Sequence, residues 1–257
     1  MKLGVLPVLG LIAVATVVLY VFTQLASKGD RKFQEGRVVG ITGKKGHGKT
    51  IFGVHELLRH VNGRYSCREC STLEGRRVNH DGHIATNGSI SVPDELLPRV
   101  HRLTSWDDVK ALPHGCLVML DEVHLMGWAP AQAGQTLPAD VQWILSQCRK
   151  LHLEIMWISQ DLGNVSAGLR RQTDEIARCQ KSYFRRMSIS FFEIVGGVPQ
   201  FNAKAAWKYA YRVTSKLAAS YDTYELLAMV PAVGGVSRAA GLPPAAPSTM
   251  HDFDVVS

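Results

Sequence analysis

Residues 43–50 read Gly-Lys-Lys-Gly-His-Gly-Lys-Thr. The octapeptide fits G-x-x-x-x-G-K-[ST], and its placement constrains the fold more than the pattern does. The strand-like run Arg37 to Thr42 leads into it, and the helix-like run Ile51 to Val61 leaves it. A glycine-rich turn at a helix N-terminus aims several backbone N–H groups at one point and so cradles phosphate oxygens. Gly43, Lys44, Lys45, Gly46, His47 and Gly48 would form that cradle. Lys49 would reach the β and γ phosphates, and the Thr50 hydroxyl would ligate Mg²⁺. ATP with Mg²⁺ is the ligand such a loop implies. The plain alternative is a Gly/Lys-rich surface turn.

Downstream, Cys116 to Leu120 is a continuous apolar run, as expected of a strand buried on both faces of a parallel sheet. It ends in Asp121-Glu122. An acid at such a strand tip lies in the crevice where α/β sheets bind ligands. Asp121 would hold Mg²⁺, and Glu122 would orient and deprotonate an attacking water. An acidic helix cap after a core strand is the ordinary alternative. A third run, Glu154 to Ser159, ends at Gln160, whose amide could sense a γ-phosphate or serve only as a turn residue.

The chain has 257 residues, 46% of them hydrophobic, enough for one substantial core with appendages. Its net charge of +7 suits DNA, RNA or an anionic membrane surface without choosing between them. From Leu3 to Ser27 no residue is charged, and Leu3 to Phe22 is almost wholly apolar. About twenty helical residues span the hydrocarbon of a bilayer. Lys28, Arg31, Lys32 and Arg37 follow the run, so the positive-inside rule puts the body of the protein in the cytoplasm, behind a single-pass anchor. A cleavable signal sequence is the competing reading of that run.

Five cysteines are too few and too scattered for a disulfide framework. Cys116, Cys148 and Cys179 read as small apolar residues. Cys67, Cys70, His80 and His83 form C-x2-C-x9-H-x2-H, four ligands of the type that tetrahedral Zn²⁺ takes. His83 also opens a strand-like run, which would aim it elsewhere, and an exposed polar insertion with incidental thiols is the alternative.

The order along the chain is an anchor at 1–27, a basic linker at 28–36, a nucleotide-binding region at 37–228 carrying the Cys/His insertion at 62–83, and a disordered tail at 229–257 rich in Ala, Gly and Pro. Strands separated by helices imply an α/β fold with a mostly parallel sheet and right-handed crossovers. At least one strand intervenes between the phosphate loop and Asp121, as in RecA-like P-loop NTPases of the additional-strand, catalytic-glutamate type. Between Ala203 and Tyr221, Lys204, Lys208, Arg212 and Lys216 interleave with Trp207, Tyr209 and Tyr211. That pattern fits phosphate contact with base stacking, or an amphipathic element with a solvated cationic face.

Beyond the phosphate loop, the linked order DE-x-H (121–124), S-Q-x-R-K (146–150), S-Q-D (159–161) and L-R (169–170) resembles the Zot-like branch of the FtsK/HerA ATPases. The Ala85-Thr86-Asn87-Gly88 turn and the late Tyr221-Asp222-Thr223 belong to the same resemblance, which covers Arg37 to about Glu225. That branch includes filamentous-phage assembly ATPases and, more distantly, packaging ATPases of viruses with internal membranes. The resemblance implies a homo-oligomeric ring with ATP at each interface and an arginine supplied by the neighbour, Arg170 or Arg149. It implies DNA as a partner, with other virion or assembly proteins. One departure is that filamentous-phage members carry the membrane span after the ATPase region, whereas here it comes first. The anchor would then sit in a host inner membrane or a virion's internal membrane. The implied activity is a membrane-anchored ATPase that translocates DNA in viral genome packaging or phage assembly. The rival is a morphogenesis or secretion ATPase that acts on envelope proteins without gripping DNA.

Overall fold

The computed structural model describes residues 32–124, 128–129, 137–181 and 186–221. The expected anchor and the expected tail lie outside those residues. Among the described residues, no helix is long and apolar enough to cross a membrane.

The elements run β1 (Val38–Thr42), α1 (Lys49–Val61), β2 (Arg64–Cys67), α2 (Arg68–Glu74), β3 (Val78–Asp81), β4 (His83–Thr86), a 3-10 segment (Asp94–Arg99), β5 (Val100–Arg102), α3 (Trp106–Lys110), β6 (Cys116–Leu120), α4 (Ala139–Gln147), β7 (Glu154–Ile158), a 3-10 turn (Leu162–Asn164), α5 (Ala167–Arg171), β8 (Glu175–Lys181), β9 (Arg186–Val195), β10 (Val198–Pro199), β11 (Trp207–Arg212) and α6 (Ser215–Ala219). The main sheet has the order β10-β9-β8-β1-β7-β6-β4-β5, and β11 also pairs with β9. From β8 to β5 every pairing is parallel. β9 runs antiparallel to β8, β10 and β11. The largely parallel α/β sheet expected from the sequence is present, with β7 inserted between β1 and β6.

Every residue of β1, β6 and β7 is buried, which explains why those strands read as unbroken apolar runs. Alternate residues serve opposite faces. Val38, Val118, Leu120, Ile155 and Trp157 pack against Val141, Ile144 and Leu145 of α4 on one side. Val39, Ile41, Leu117, Met119, Met156 and Ile158 pack against Phe52, Leu57 and Val61 of α1 on the other. Cys116, Cys148 and Cys179 are free and buried, and burial raises each thiol pKa. They are core residues, as the sequence indicated.

Two segments were only partly legible. The insertion after α1 folds as a two-stranded antiparallel sheet, β2 with β3, bridged by α2. The basic and aromatic stretch forms β11, where pleating separates the two residue types. Lys208 and Arg212 are exposed, as are Lys204 and Lys216 beside the strand. Trp207 stacks on Phe191 at 3.7 Å between ring centroids, Tyr211 stacks on His55 at 4.1 Å, and the Tyr209 hydroxyl is 2.8 Å from His55 Nε2. The aromatics serve packing, so the amphipathic-element alternative describes this strand.

Candidate nucleotide-binding site

Parallel pairing brings the C-terminal ends of β1, β7 and β6 to one rim. The phosphate loop leaves β1, Gln160 follows β7 and Asp121 follows β6. In open parallel sheets this rim is where ligands bind.

Glycine is required in the loop for two separable reasons. Gly48 caps α1 in the left-handed region (φ +74°), and a Cβ there would lie 2.6 Å from Met187 Cε. Gly43 has φ +150°, and a Cβ there would lie 2.7 Å from the Cys179 carbonyl oxygen. A side chain at either position would strain the turn, and at Gly43 it would also push on the backbone of β8. The His47 N–H donates to the Lys44 carbonyl at 3.1 Å, which closes the loop. No acidic residue occupies the first turn of α1, so nothing there competes with an anion for its N–H groups.

Lys49 and Thr50 open α1. Lys49 is buried, and the Thr50 side chain lies close enough to Asp121 to pull its carboxyl pKa down. The two motifs therefore meet at one point although they are far apart in sequence. Asp121 is only 2% exposed, and burial pushes its carboxyl pKa up to about 6 against the pull of Thr50, the Glu122 N–H and the Tyr221 hydroxyl. Its backbone is clamped by Asn87. The Asn87 amide donates to the Asp121 carbonyl at 2.9 Å, and the Asp121 N–H donates to the Asn87 side-chain oxygen at 2.8 Å.

Glu122 adopts a left-handed backbone conformation (φ 45°), a strained geometry for a residue with a Cβ. The Gln160 amide donates to Glu122 Oε1 at 3.1 Å. Glu122 Oε2 is buried, has no hydrogen-bond donor among the described residues, and lies 3.5 Å from His124 Nδ1. His124 is held in turn by the Ser159 hydroxyl at 3.3 Å. A carboxylate oxygen withdrawn from water without a donor is suited to receive a proton.

On the β8 side of the loop lies a cavity of about 520 Å³, lined by Gly43, Lys44, His47, Gln160, Arg178 and Lys181 among others. This is within the size range of small-molecule sites. The carboxylates stand on the β6 side, and Gln160 borders both regions. The desolvated Asp121 beside Thr50 fits a divalent cation, since a positive charge there would offset the cost of burying Asp121 ionised.

The residues proposed for phosphates, magnesium and water thus lie along one rim. Arg170, on α5, is half-buried, and its Nε is without a hydrogen-bond partner among the described residues. Arg149 is exposed and packs beside Gly36, which precedes β1, so it stands at the end of the sheet opposite the phosphate loop. Of the four predicted zinc ligands, the structure gathers Cys67, Cys70 and His80 but not His83. His83 Nδ1 lies 3.2 Å from His101 Nε2, on β4 of the main sheet. The separation follows from the chain passing at Gly82 from β3 of the small sheet to β4 of the main sheet, so that the two histidines belong to different sheets. Sequence reasoning assigned no role to Asn87, His124 or Tyr221. Their motifs were visible, but their contacts are tertiary.

No protein-family model matches the chain, and no curated protein matches it. Solved structures do. The N-terminal domain of zonular occludens toxin from Neisseria meningitidis aligns at TM-score 0.44 and 15% identity, covering 74% of this chain and 100% of that one. The genome packaging NTPase of Sulfolobus turreted icosahedral virus 2, in complex with ATP-gammaS, aligns at TM-score 0.39 and 10% identity, covering 65% and 97%. The flagellar accessory protein FlaH from Methanocaldococcus jannaschii aligns at TM-score 0.43 and 9% identity, covering 70% and 86%. These scores carry no functional weight, and the site is judged on its own geometry.

Proposed function

We propose that this chain is a membrane-anchored ATPase that drives DNA translocation in viral genome packaging or phage assembly, working as a homo-oligomeric ring. The observation that carries the hydrolase part is the meeting of Thr50 with Asp121 and of Gln160 with Glu122 on one rim. The loop N–H groups and Lys49 bind and orient the triphosphate. Thr50 and Asp121 would hold Mg²⁺, which supplies charge neutralisation on the phosphate oxygens when bound. Glu122 takes the proton of the attacking water at Oε2, and the Gln160 amide keeps Glu122 aimed. Arg170 is favoured over Arg149 as the residue given to a neighbouring subunit, because Arg149 stands at the far end of the sheet.

The DNA part rests on the net charge of +7, the exposed Lys204, Lys208, Arg212 and Lys216, and the resemblance in motif order. The anchor rests on the uncharged run at 3–27 and the cations that follow it, which would place the ATPase body in the cytoplasm. One observation favours the rival, an ATPase that gates envelope proteins without gripping DNA. The aromatics of β11 already stack on Phe191 and His55, which leaves less of their ring surface for bases.

ATP hydrolysis by the full chain in detergent, measured with and without DNA, tests both parts. Hydrolysis that Glu122→Gln lowers by about 10²–10⁴-fold is expected if Glu122 is the general base. Stimulation by DNA supports the motor. Hydrolysis unresponsive to DNA in an assembled ring supports the rival, and no hydrolysis in any form removes both.

A further inference from the structure

The gathering of Cys67, Cys70 and His80 occurs at the end of the molecule opposite the nucleotide rim. Cys67 is the N-cap of α2 and Cys70 lies in its first turn, so the two sulfurs share one side of the helix start. The Cys70 N–H donates to Cys67 Sγ at 3.3 Å. His80 comes from β3, and the β2–β3 register pairs it with Tyr65 and Cys67 with Val78. Residues 65, 67, 78 and 80 therefore share one face of this small sheet. His80 Nε2 is buried and has no hydrogen-bond partner among the described residues. The metal-binding atoms of Cys67, Cys70 and His80 all lie within 4.8 Å of one another.

A second group shares Cys67 and approaches from the core: Glu35, before β1, and His152, before β7. His152 Nδ1 is 3.7 Å from Cys67 Sγ and 3.4 Å from Glu35 Oε2. Zinc–sulfur and zinc–nitrogen bonds at tetrahedral angles put S and N about 3.5 Å apart. The Cys67–His152 separation is thus close to that of two ligands on one zinc ion, and His152, gathered with Cys67 and Glu35, would have to close on Cys70 and His80 to complete a single site. His152 is 4% exposed and has a left-handed backbone (φ 53°), which the surrounding structure must impose on a residue with a Cβ.

We propose a structural Zn²⁺ site formed by Cys67, Cys70, His80 and His152, which fastens the β2–α2–β3 insertion to the base of the main sheet. The four side chains come from α2 and its cap, from β3 and from the α4–β7 turn, so the ion joins an insertion to the core rather than closing a local knuckle. The site does not depend on the ATPase reading, because it lies at the far end of the sheet from the phosphate loop. Glu35 sits beside His152 as a carboxylate neighbour, and His83 has no part.

Cobalt substitution of the full chain in detergent, followed by absorption spectroscopy and metal analysis, tests this. The expected result is one zinc per chain as purified. With Co²⁺, thiolate charge-transfer absorption should appear in the near ultraviolet, with intense visible bands of a tetrahedral ion. Cys67→Ser with Cys70→Ser should lose both metal and charge-transfer absorption. His152→Ala should weaken zinc binding at least 10-fold and shift the visible bands, while His83→Ala should leave stoichiometry and spectrum unchanged. If the cysteine variant does not fold, the wild-type cobalt spectrum and the two histidine variants still decide. Wild-type protein without stoichiometric metal and without a thiolate–cobalt band overturns the site. Metal lost in His83→Ala and kept in His152→Ala overturns the ligand set.

Discussion

Two polar clusters occupy opposite ends of the same sheet, and they are built differently. At the C-terminal rim, eight consecutive residues form the phosphate loop, and two strand tips add Asp121, Glu122 and Gln160. At the other end, Glu35, Cys67, Cys70, His80 and His152 come from separate segments of the chain. The first cluster is organised by backbone, since a turn and a helix start fix where their own N–H groups point. The second is organised by side chains that converge through tertiary packing. A one-dimensional pattern specifies the first almost completely and the second only in part.

The difference can be tested most strongly at Asp121. Asp121→Asn keeps the shape but removes the charge, and hydrolysis is expected to fall by about 10²-fold or more. Without nucleotide and Mg²⁺, the same variant should be more stable than wild type. Burial raises the folded-state carboxyl pKa to about 6 from an ordinary value of 3.8. A raised pKa means the folded state holds its proton more readily, so ionisation opposes folding. The stability gap should be absent below about pH 4, grow as pH rises to 6, and stay flat above it at about 3 kcal/mol or less. Thermal melts of both proteins across that range measure it. Equal stability at pH 7 would show that the Asp121 charge is already compensated. For the same reason, kcat/KM for nucleotide hydrolysis, which reports the free enzyme, should decline as pH falls through about 6.

Asn87 gives the next largest effect. Its side chain makes two buried hydrogen bonds to the backbone of Asp121 and joins β4 to the tip of β6. Asn87→Ala leaves a buried N–H and a buried carbonyl without these partners, at a cost of about 2–4 kcal/mol together. Denaturant unfolding should show it, and hydrolysis should fall because Asp121 is no longer held. A loss of stability under 1 kcal/mol would mean that other groups take over the two bonds.

How far the sequence reaches follows from the same contrast. The apolar runs expected as β1 and β6 match the structure to within a residue, because those strands are buried along their whole length. The α4 helix spans Ala139–Gln147, since Pro138 starts it and the chain turns at His152. Local patterning pointed to Lys49, Thr50, Asp121, Glu122 and Gln160. It did not point to Asn87, His124 or Tyr221, because a single polar residue carries no periodic signal and its partner lies elsewhere in the sequence. The Cys/His spacing suggested His83 as a ligand, but its place on β4 of the main sheet removes it and sequence distance conceals His152.

The smallest expected effect concerns β11, where the sequence allowed both a DNA-facing stripe and a packed strand. The pleat gives the aromatics to the core and Lys208 and Arg212 to the surface. Lys208→Ala with Arg212→Ala should change stability by less than about 0.5 kcal/mol, as for surface positions without buried partners. If these cations touch DNA, they do so through phosphates. The double variant should then lower the slope of log affinity against log salt by about 1–2 units while leaving preference among DNA sequences unchanged. Binding titrations at several salt concentrations measure both quantities. An unchanged slope would remove this face from any DNA contact and strengthen the contrast with the nucleotide rim, because the aromatic strand would then serve packing alone.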